Sequence, residues 1–230
     1  MTKIAINRRR RGAMKLLGSR HAMHAAVMSS FSPGTPTESE EGRVLWRVDK
    51  LGDDVDLYIV SPGQPCPETI NEQAGWSTGA VWASRDYSQF LTGITNGQEF
   101  VFRLVANPTH RLSTSNGGAV SKKVVAHVTD EYQRQWFLDR TDTNGFSVVE
   151  STLPIARETG QSGDVPRELI VRERETSVFK RGPSRVTLAT AAFEGRLTVT
   201  DADLIRRALT HGIGRGKGYG CGLITLAPVN

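Results

Sequence analysis

Residues 201–228, DADLIRRALTHGIGRGKGYGCGLITLAP, read in the order helix, glycine run, strand. From 201 to 212 an acidic start precedes Leu204, Ile205, Ala208 and Leu209 at helical spacing, which predicts an amphipathic helix that buries those four. From 212 to 222 every second residue is glycine: Gly212, Gly214, Gly216, Gly218, Gly220 and Gly222, with Arg215 and Lys217 set between them. CGLITLAP (221–228) then closes the chain as a strand. A dinucleotide-binding fingerprint stands after a strand and opens a helix, with GxGxxG spacing. Here the order is reversed. The P-loop pattern also fails, because Lys217 is followed by glycine rather than Ser or Thr. No nucleotide cofactor is expected. What remains is a loop whose backbone N–H groups, unshielded by side chains, can approach phosphate between two cations. A flexible turn is the plain alternative.

Working outward, EFVFRLVANP (99–108) alternates and predicts a strand. TDEYQRQWFLDRTDTNG (129–145) predicts a helix capped by Thr129 and stopped at Gly145. FSVVEST (146–152), ELIVRER (168–174) and RVTLATAAFEGRLTVTD (185–201) supply strands. The first half repeats the pattern. KIAIN (3–7) is a short strand, and Ser19 caps a helix over 20–31 with Met23, Ala26, Val27 and Ser30 as its buried stripe. RVLWRVD (43–49) and DLYIVSP (56–62) are strands about a Gly-Asp-Asp turn, Pro65 to Trp76 holds a short helix, and VWASRDYSQF (81–90) supplies a fourth strand. Each half reads β-α-β-β-α-β. The expected fold is therefore α+β: two tandem ferredoxin-like (RRM-like) domains, over 1–94 and 95–230. The breaks fall at SPGTPTESEEG (32–42), near 92–98, and at a mobile loop over 154–168. The halves share no sequence repeat.

The 230 residues are 38% hydrophobic and carry a formal net charge of +5, which suits a packed core and a polyanionic partner. No run of about 18 apolar residues exists, and no apolar segment follows the basic start, so a cytoplasmic protein with no membrane partner is expected. The two cysteines, Cys66 and Cys221, lie far apart with no zinc-ligand spacing; reduced thiols and no metal are expected.

The first twenty residues hold seven basic side chains and no acidic one. Arg8, Arg9, Arg10 and Arg11 are consecutive, followed by Lys15 and Arg20, and they are read as RNA-binding. Directly after them His21 and His24 stand three residues apart, about 60° apart around a helix, so both rings can face one cleft. RNA carries its own nucleophile, the 2′-OH. Its cleavage needs a base, an acid and cations on the phosphate, and imidazole titrates near working pH. Two surface histidines on a helix are the bland alternative. RERETSVFKRGPSRVTL (172–188) reads as a basic hairpin turning near Gly182-Pro183, with Lys180, Arg181 and Arg185 along an RNA backbone; a charged strand edge is the alternative.

INRRRRGAMKLLGSRHAMHAAV, RVLWRVD, FVFRLVANP, AAFEGRLTVTD and LTHGIGRGKGYGCGLITLAP, in this order and nearly end to end, resemble the CasE (Cse-type) endoribonucleases of type I-E CRISPR systems, in the RAMP superfamily. The resemblance implies tandem ferredoxin-like domains and metal-independent cleavage of CRISPR precursor RNA at the 3′ base of the repeat hairpin. The products would be a 5′-hydroxyl end and a 2′,3′-cyclic or 3′-phosphate. It further implies retention of the crRNA and assembly with the other subunits of the Cascade complex. The family's catalytic histidine falls on His24, in Ala22-Met23-His24. The family often has a tyrosine three residues earlier; His21 stands there and leaves the division of acid and base roles open. A non-catalytic RNA-hairpin-binding subunit on the same fold, and an unrelated phosphate-loop enzyme, are the competing readings.

Overall fold

The structure, a computed structural model, describes residues 1–78, 82–116, 119–151, 166–181 and 184–229. It divides into two compact units: Met1–Ile94 with Arg206–Leu223, and Thr95–Ile205 with Ile224–Asn230. The division does not follow chain order. The glycine run, placed by its position in the sequence in the 95–230 domain, packs with the first unit.

In the first unit the chain runs β1 (Thr2–Ala5), α1 (Arg11–Leu17), α2 (Arg20–Ser29), a short ladder of β2 (Glu38–Ser39) and β3 (Gly42–Arg43), β4 (Leu45–Leu51), β5 (Asp54–Val60), α3 (Pro67–Ala74), β6 (Trp82–Ser84) and α4 (Ser88–Thr92). The sheet order is β4-β5-β1-β6, every pair antiparallel, with Ile4 opposite Leu57 and Trp46 opposite Ile59. Counting the four strands in chain order gives 2-3-1-4, the ferredoxin-like arrangement. Ser19 caps α2 by accepting the Ala22 N–H at 3.2 Å. The stripe at Met23, Ala26, Val27 and Ser30 is buried as expected. It packs with Ile4, Ile6, Leu16, Leu57, Ile59 and Ile70 in one core, each full burial of a large apolar side chain stabilising by about 1.5–3 kcal/mol.

Two local expectations fail in this unit. The arginine run does not lead directly into the histidine helix, because α1 begins at Arg11 and intervenes. Gly12 lets it do so: a β-carbon there would lie 2.1 Å from the Gln73 carbonyl oxygen, so only glycine allows α1 to meet α3. The strand expected over 81–90 is described only at 82–84, and Val81 lies outside the described residues. The Asp86 carboxylate takes the Ser88 N–H at 2.9 Å and starts α4 instead.

The second unit holds β7 (Glu99–Ala106), β8 (Thr109–Asn116), β9 (Ala119–Ala126), α5 (Asp130–Leu138), β10 (Phe146–Val148), β11 (Leu169–Arg181), β12 (Ser184–Val199), the start of α6 (Ala202–His211) and β13 (Ile224–Pro228). Its sheet runs β10-β12-β7-β13, again 2-3-1-4 by chain order once β11 is set aside, and again antiparallel. β11 lies along the same edge of β12 as β10: β10 covers Leu197–Val199 and β11 the stretch from Gly195 to Ser184. Phe102, Phe137, Phe193 and Trp136 form a stacked aromatic core, with Phe137 and Phe193 centroids 5.1 Å apart, and Phe146 packs tilted against Phe102 and Phe137. Gly145 ends the helical segment in the left-handed region, as its position after Asn144 predicts. The hairpin β8–β9 was not expected, because its strands carry few large apolar residues. In α6, Ile205, Ala208 and Leu209 are buried, but Leu204 is 39% exposed, so the predicted buried face is one residue too wide. Most of the loop expected over 154–168, from 154 to 165, and the turn at 182–183 lie outside the described residues.

Candidate functional site

The site grows from the glycine run. Gly212, Gly214, Gly216, Gly220 and Gly222 all sit at positive φ, between 76° and 91°. A side chain in that region costs roughly 1–2 kcal/mol per residue, so the alternation of glycines is a backbone requirement. The loop is also seated too closely for side chains. A β-carbon at Gly220 would come 2.6 Å from the Trp46 ring, and one at Gly212 would come 2.8 Å from Leu45. Both partners stand at the start of β4. Arg47, one residue on and only 3% exposed, donates to the Leu223 carbonyl at 2.9 Å while its fork grips Asp49 at 2.7 and 2.8 Å. The strand thus fixes the downstream end of the loop.

Gly218 is different. Its backbone stays outside the positive-φ region, inside a one-turn 3₁₀ segment, Lys217–Tyr219, bracketed by Gly216 and Gly220. A β-carbon there would stand 3.6 Å from Cε1 and Nε2 of His24. His24 is half-buried, on the second turn of α2, and the loop backbone faces its ring. Arg20, at the first position of α2, donates from Nη1 to the Tyr219 carbonyl at 2.9 Å and ties the loop to that helix. His21 is exposed on the first turn. The helix-end field is strongest there, and the Ser19 hydroxyl already uses the Ala22 N–H, so His24 feels that field less than its place in the sequence suggests.

The cations are placed unequally. Lys217 is half-buried, and burial first, then the nearby Arg43 guanidinium, hold its ammonium below the usual lysine range, with Glu38 opposing. Arg215 is exposed. In the amino-terminal run, Arg9, Arg11 and Lys15 are exposed, and Arg8 makes an exposed pair with Asp53 at 3.3 Å, a contact worth little in water. Arg10 does something else. Its Nη1 donates to the carbonyls of Asn71 and Gly75 and its Nη2 to that of Glu72, closing the carboxyl end of α3. This guanidinium, expected to bind RNA, also has a structural role. Lys180, Arg181 and Arg185 lie in the β11–β12 hairpin, Lys180 opposite Arg185 and Arg181 opposite Ser184 in backbone register; their side chains lie outside the described ones.

Sequence reasoning missed Arg43 and the tie made by Arg20. Arg43 carries no motif, and its nearness to Lys217 depends on a two-residue ladder. Cys66 is exposed and Cys221 buried, and both thiols are free; burial pushes the Cys221 thiol up to about 12. Among the described residues no group of three or more His, Cys, Asp or Glu side chains is placed to hold a metal ion. No helix among them is long and apolar enough to cross a membrane.

An imidazole against a bare backbone, with cations on the same loop, suits proton transfer beside a bound phosphodiester. The CRISPR-associated endoribonuclease Cse3 of Thermus thermophilus is 27% identical over 237 residues, covering 99% of each chain. The Cascade subunit CasE of Escherichia coli (strain K12) is 29% identical over 99 residues, 39% of this chain and 49% of that one. The structure of Thermus thermophilus Cse3 bound to an RNA representing a pre-cleavage complex superposes with a TM-score of 0.73 at 25% identity, covering 99% of this chain and 98% of that one. The Escherichia coli K-12 Cas6e crystal structure shares the fold at 19% identity, with a TM-score of 0.62 over the whole of both chains. A sequence profile of the family described as CRISPR associated protein extends across residues 1–228, and with both sheets and the glycine loop inside that span the chain belongs to this family.

Proposed function

We propose that the chain is a metal-independent endoribonuclease that cuts CRISPR precursor RNA at the base of the repeat hairpin and keeps the crRNA as a subunit of Cascade, in the cytoplasm. The observation that carries the reading is the imidazole of His24 facing the Gly218 backbone, in a chain similar over 99% of its length to an endoribonuclease. In the reaction the 2′-OH attacks the adjacent phosphorus, the O5′–P bond breaks, and a 2′,3′-cyclic phosphate and a 5′-hydroxyl form. His24 moves a proton at the ribose or the leaving oxygen, and His21 is its partner. The exposed cations Arg9, Arg11, Lys15 and Arg215, together with Lys217, hold phosphate. Lys180, Arg181 and Arg185 extend the contact along the hairpin RNA. Arg20 ties the glycine loop to α2, and Arg10 holds the end of α3.

The test is incubation of the purified protein with repeat RNA from the same genome, with and without excess EDTA. Equal cutting in both, ending in a cyclic phosphate, is expected. Tight hairpin binding with no product would show a purely RNA-binding subunit, and cutting that stops in EDTA would overturn the mechanism.

A further inference from the structure

Arg20 and His24 stand four residues apart on α2 and so share one face of the helix. The segment Gly218–Tyr219 of the glycine loop meets both. A β-carbon on Gly218 would stand 3.6 Å from Cε1 and Nε2 of His24, and the Tyr219 carbonyl accepts from Arg20 Nη1 at 2.9 Å. We propose that Arg20 is a positioning residue for the cutting step: it holds Gly218 over His24 through the Tyr219 carbonyl, and it sets the rate of cutting rather than the affinity for RNA. The inference rests on the RNA-cutting reading above and assigns a role within it.

The loop needs such an anchor. Glycine loses more conformational freedom on folding than any other residue, and every second residue from 212 to 222 is glycine. The Tyr219 N–H donates to the Gly216 carbonyl at 2.8 Å and the Gly220 N–H to that of Lys217 at 3.4 Å, which closes the turn on itself. The Ile213 N–H donates to the Gly222 carbonyl at 2.9 Å and closes the base of the loop. None of these three bonds joins the turn to α2. The Arg20 guanidinium does.

The place of Arg20 argues the same way. It is the first residue of α2, where the helix-end field disfavours a cation, and no acidic residue in the first turn offsets that field. Its guanidinium instead engages a carbonyl 199 residues away in sequence. The side chain is half-buried, whereas Arg9 and Arg11 are exposed. A hydrogen bond from a charged donor is roughly twice as strong as a neutral one, so this contact fixes the turn firmly. A displacement of about 1 Å in a reacting site can slow a reaction about a hundredfold. Release of the tie therefore bears on the rate even while the loop stays folded.

The experiment compares three substitutions. Arg20→Met keeps the apolar stem and removes every donor, Arg20→Gln has a shorter side chain that withdraws the donor from Tyr219, and Arg20→Lys keeps a cationic donor. Arg20→Met and Arg20→Gln should each slow single-turnover cutting of repeat RNA about tenfold. Hairpin affinity should change by less than about threefold in both, with the slope of log affinity against log salt unchanged. Arg20→Lys should cut within about threefold of the unmodified rate. Combined with Gly218→Ala, Arg20→Met should add little: the double variant is slower by about tenfold and not a hundredfold, because both changes act on one contact. In the RNA-free protein the Cε1–H resonance of His24, identified by its absence from His24→Ala, should move in Arg20→Met and stay in place in Arg20→Lys. Unchanged cutting by Arg20→Met and Arg20→Gln, multiplied losses in the double variant, or a salt slope lowered by about 1 would overturn the positioning role alone. If the unmodified protein cuts no repeat RNA, the RNA-cutting reading falls and this role falls with it.

Discussion

Gly218 lies across the imidazole of His24, where a β-carbon would stand 3.6 Å from Cε1 and Nε2 while the glycines on either side of its turn are held at φ of 81° and 77°. The two kinds of glycine make opposite predictions. Gly218→Ala meets only ordinary contacts and no backbone strain, so urea unfolding should move by less than about 0.5 kcal/mol. The added methyl group occupies the space over the ring, and the single-turnover cutting rate should fall about tenfold. Gly220→Ala should instead lose about 2 kcal/mol or more, because it combines a left-handed backbone with a contact to Trp46. Equal unfolding midpoints for the two variants would contradict this division.

Arg10 and Arg9 are adjacent and should behave differently. Arg10→Ala removes a guanidinium that satisfies three carbonyls at the end of α3, and should destabilise the fold by about 2 kcal/mol. It should leave the salt dependence of RNA binding nearly unchanged. Arg9→Ala should leave unfolding unchanged and lower the slope of log affinity against log salt by about 1. Urea melts and a salt titration of hairpin binding separate the two.

Cys221 predicts an alkaline limit. Its thiol is pushed up to about 12 from an ordinary value of 9.0, chiefly by burial. The unfolded chain therefore releases this proton first. The stability it contributes is complete below pH 9 and is lost as pH rises toward 12. Between pH 8 and pH 10 the loss through this group should reach about 1.4 kcal/mol. Cys221→Ala should flatten that part of the stability curve. In the native protein a thiol reagent should label the exposed Cys66 and spare Cys221.

Much of the fold was legible because its signals are local. The alternation of EFVFRLVA and the caps at Ser19 and Thr129 each depend on neighbours within one turn or strand, and each appears where expected, whereas the helix expected to run to Gly145 ends at Leu138 and Gly145 closes a separate 3₁₀ turn. The ferredoxin-like arrangement of both sheets was expected from element order, but the pairing of β11 along β12 was not. What was hidden depends on long-range packing. The helix α1 starts within the arginine run because Gly12 admits it against α3, a contact 61 residues away in sequence. Arg10 reads as one of four equivalent arginines until the carbonyls of α3 are beside it. The glycine run could be read as a phosphate loop, but its seat against Trp46, Leu45 and His24 could not, since the loop comes almost 200 residues after His24. That seat makes Gly218 unlike the other five glycines.

The account depends most directly on His24, and the decisive measurement is single-turnover cutting and equilibrium binding of the same repeat hairpin by His24→Ala. The half-buried ring faces the Gly218 backbone, so its loss should slow cutting by a factor of at least about 10³. The hairpin dissociation constant should change by less than about threefold. A variant that cuts at the rate of the unmodified protein, or that loses binding and cutting in equal measure, would contradict the assignment of His24 as the group that moves the proton.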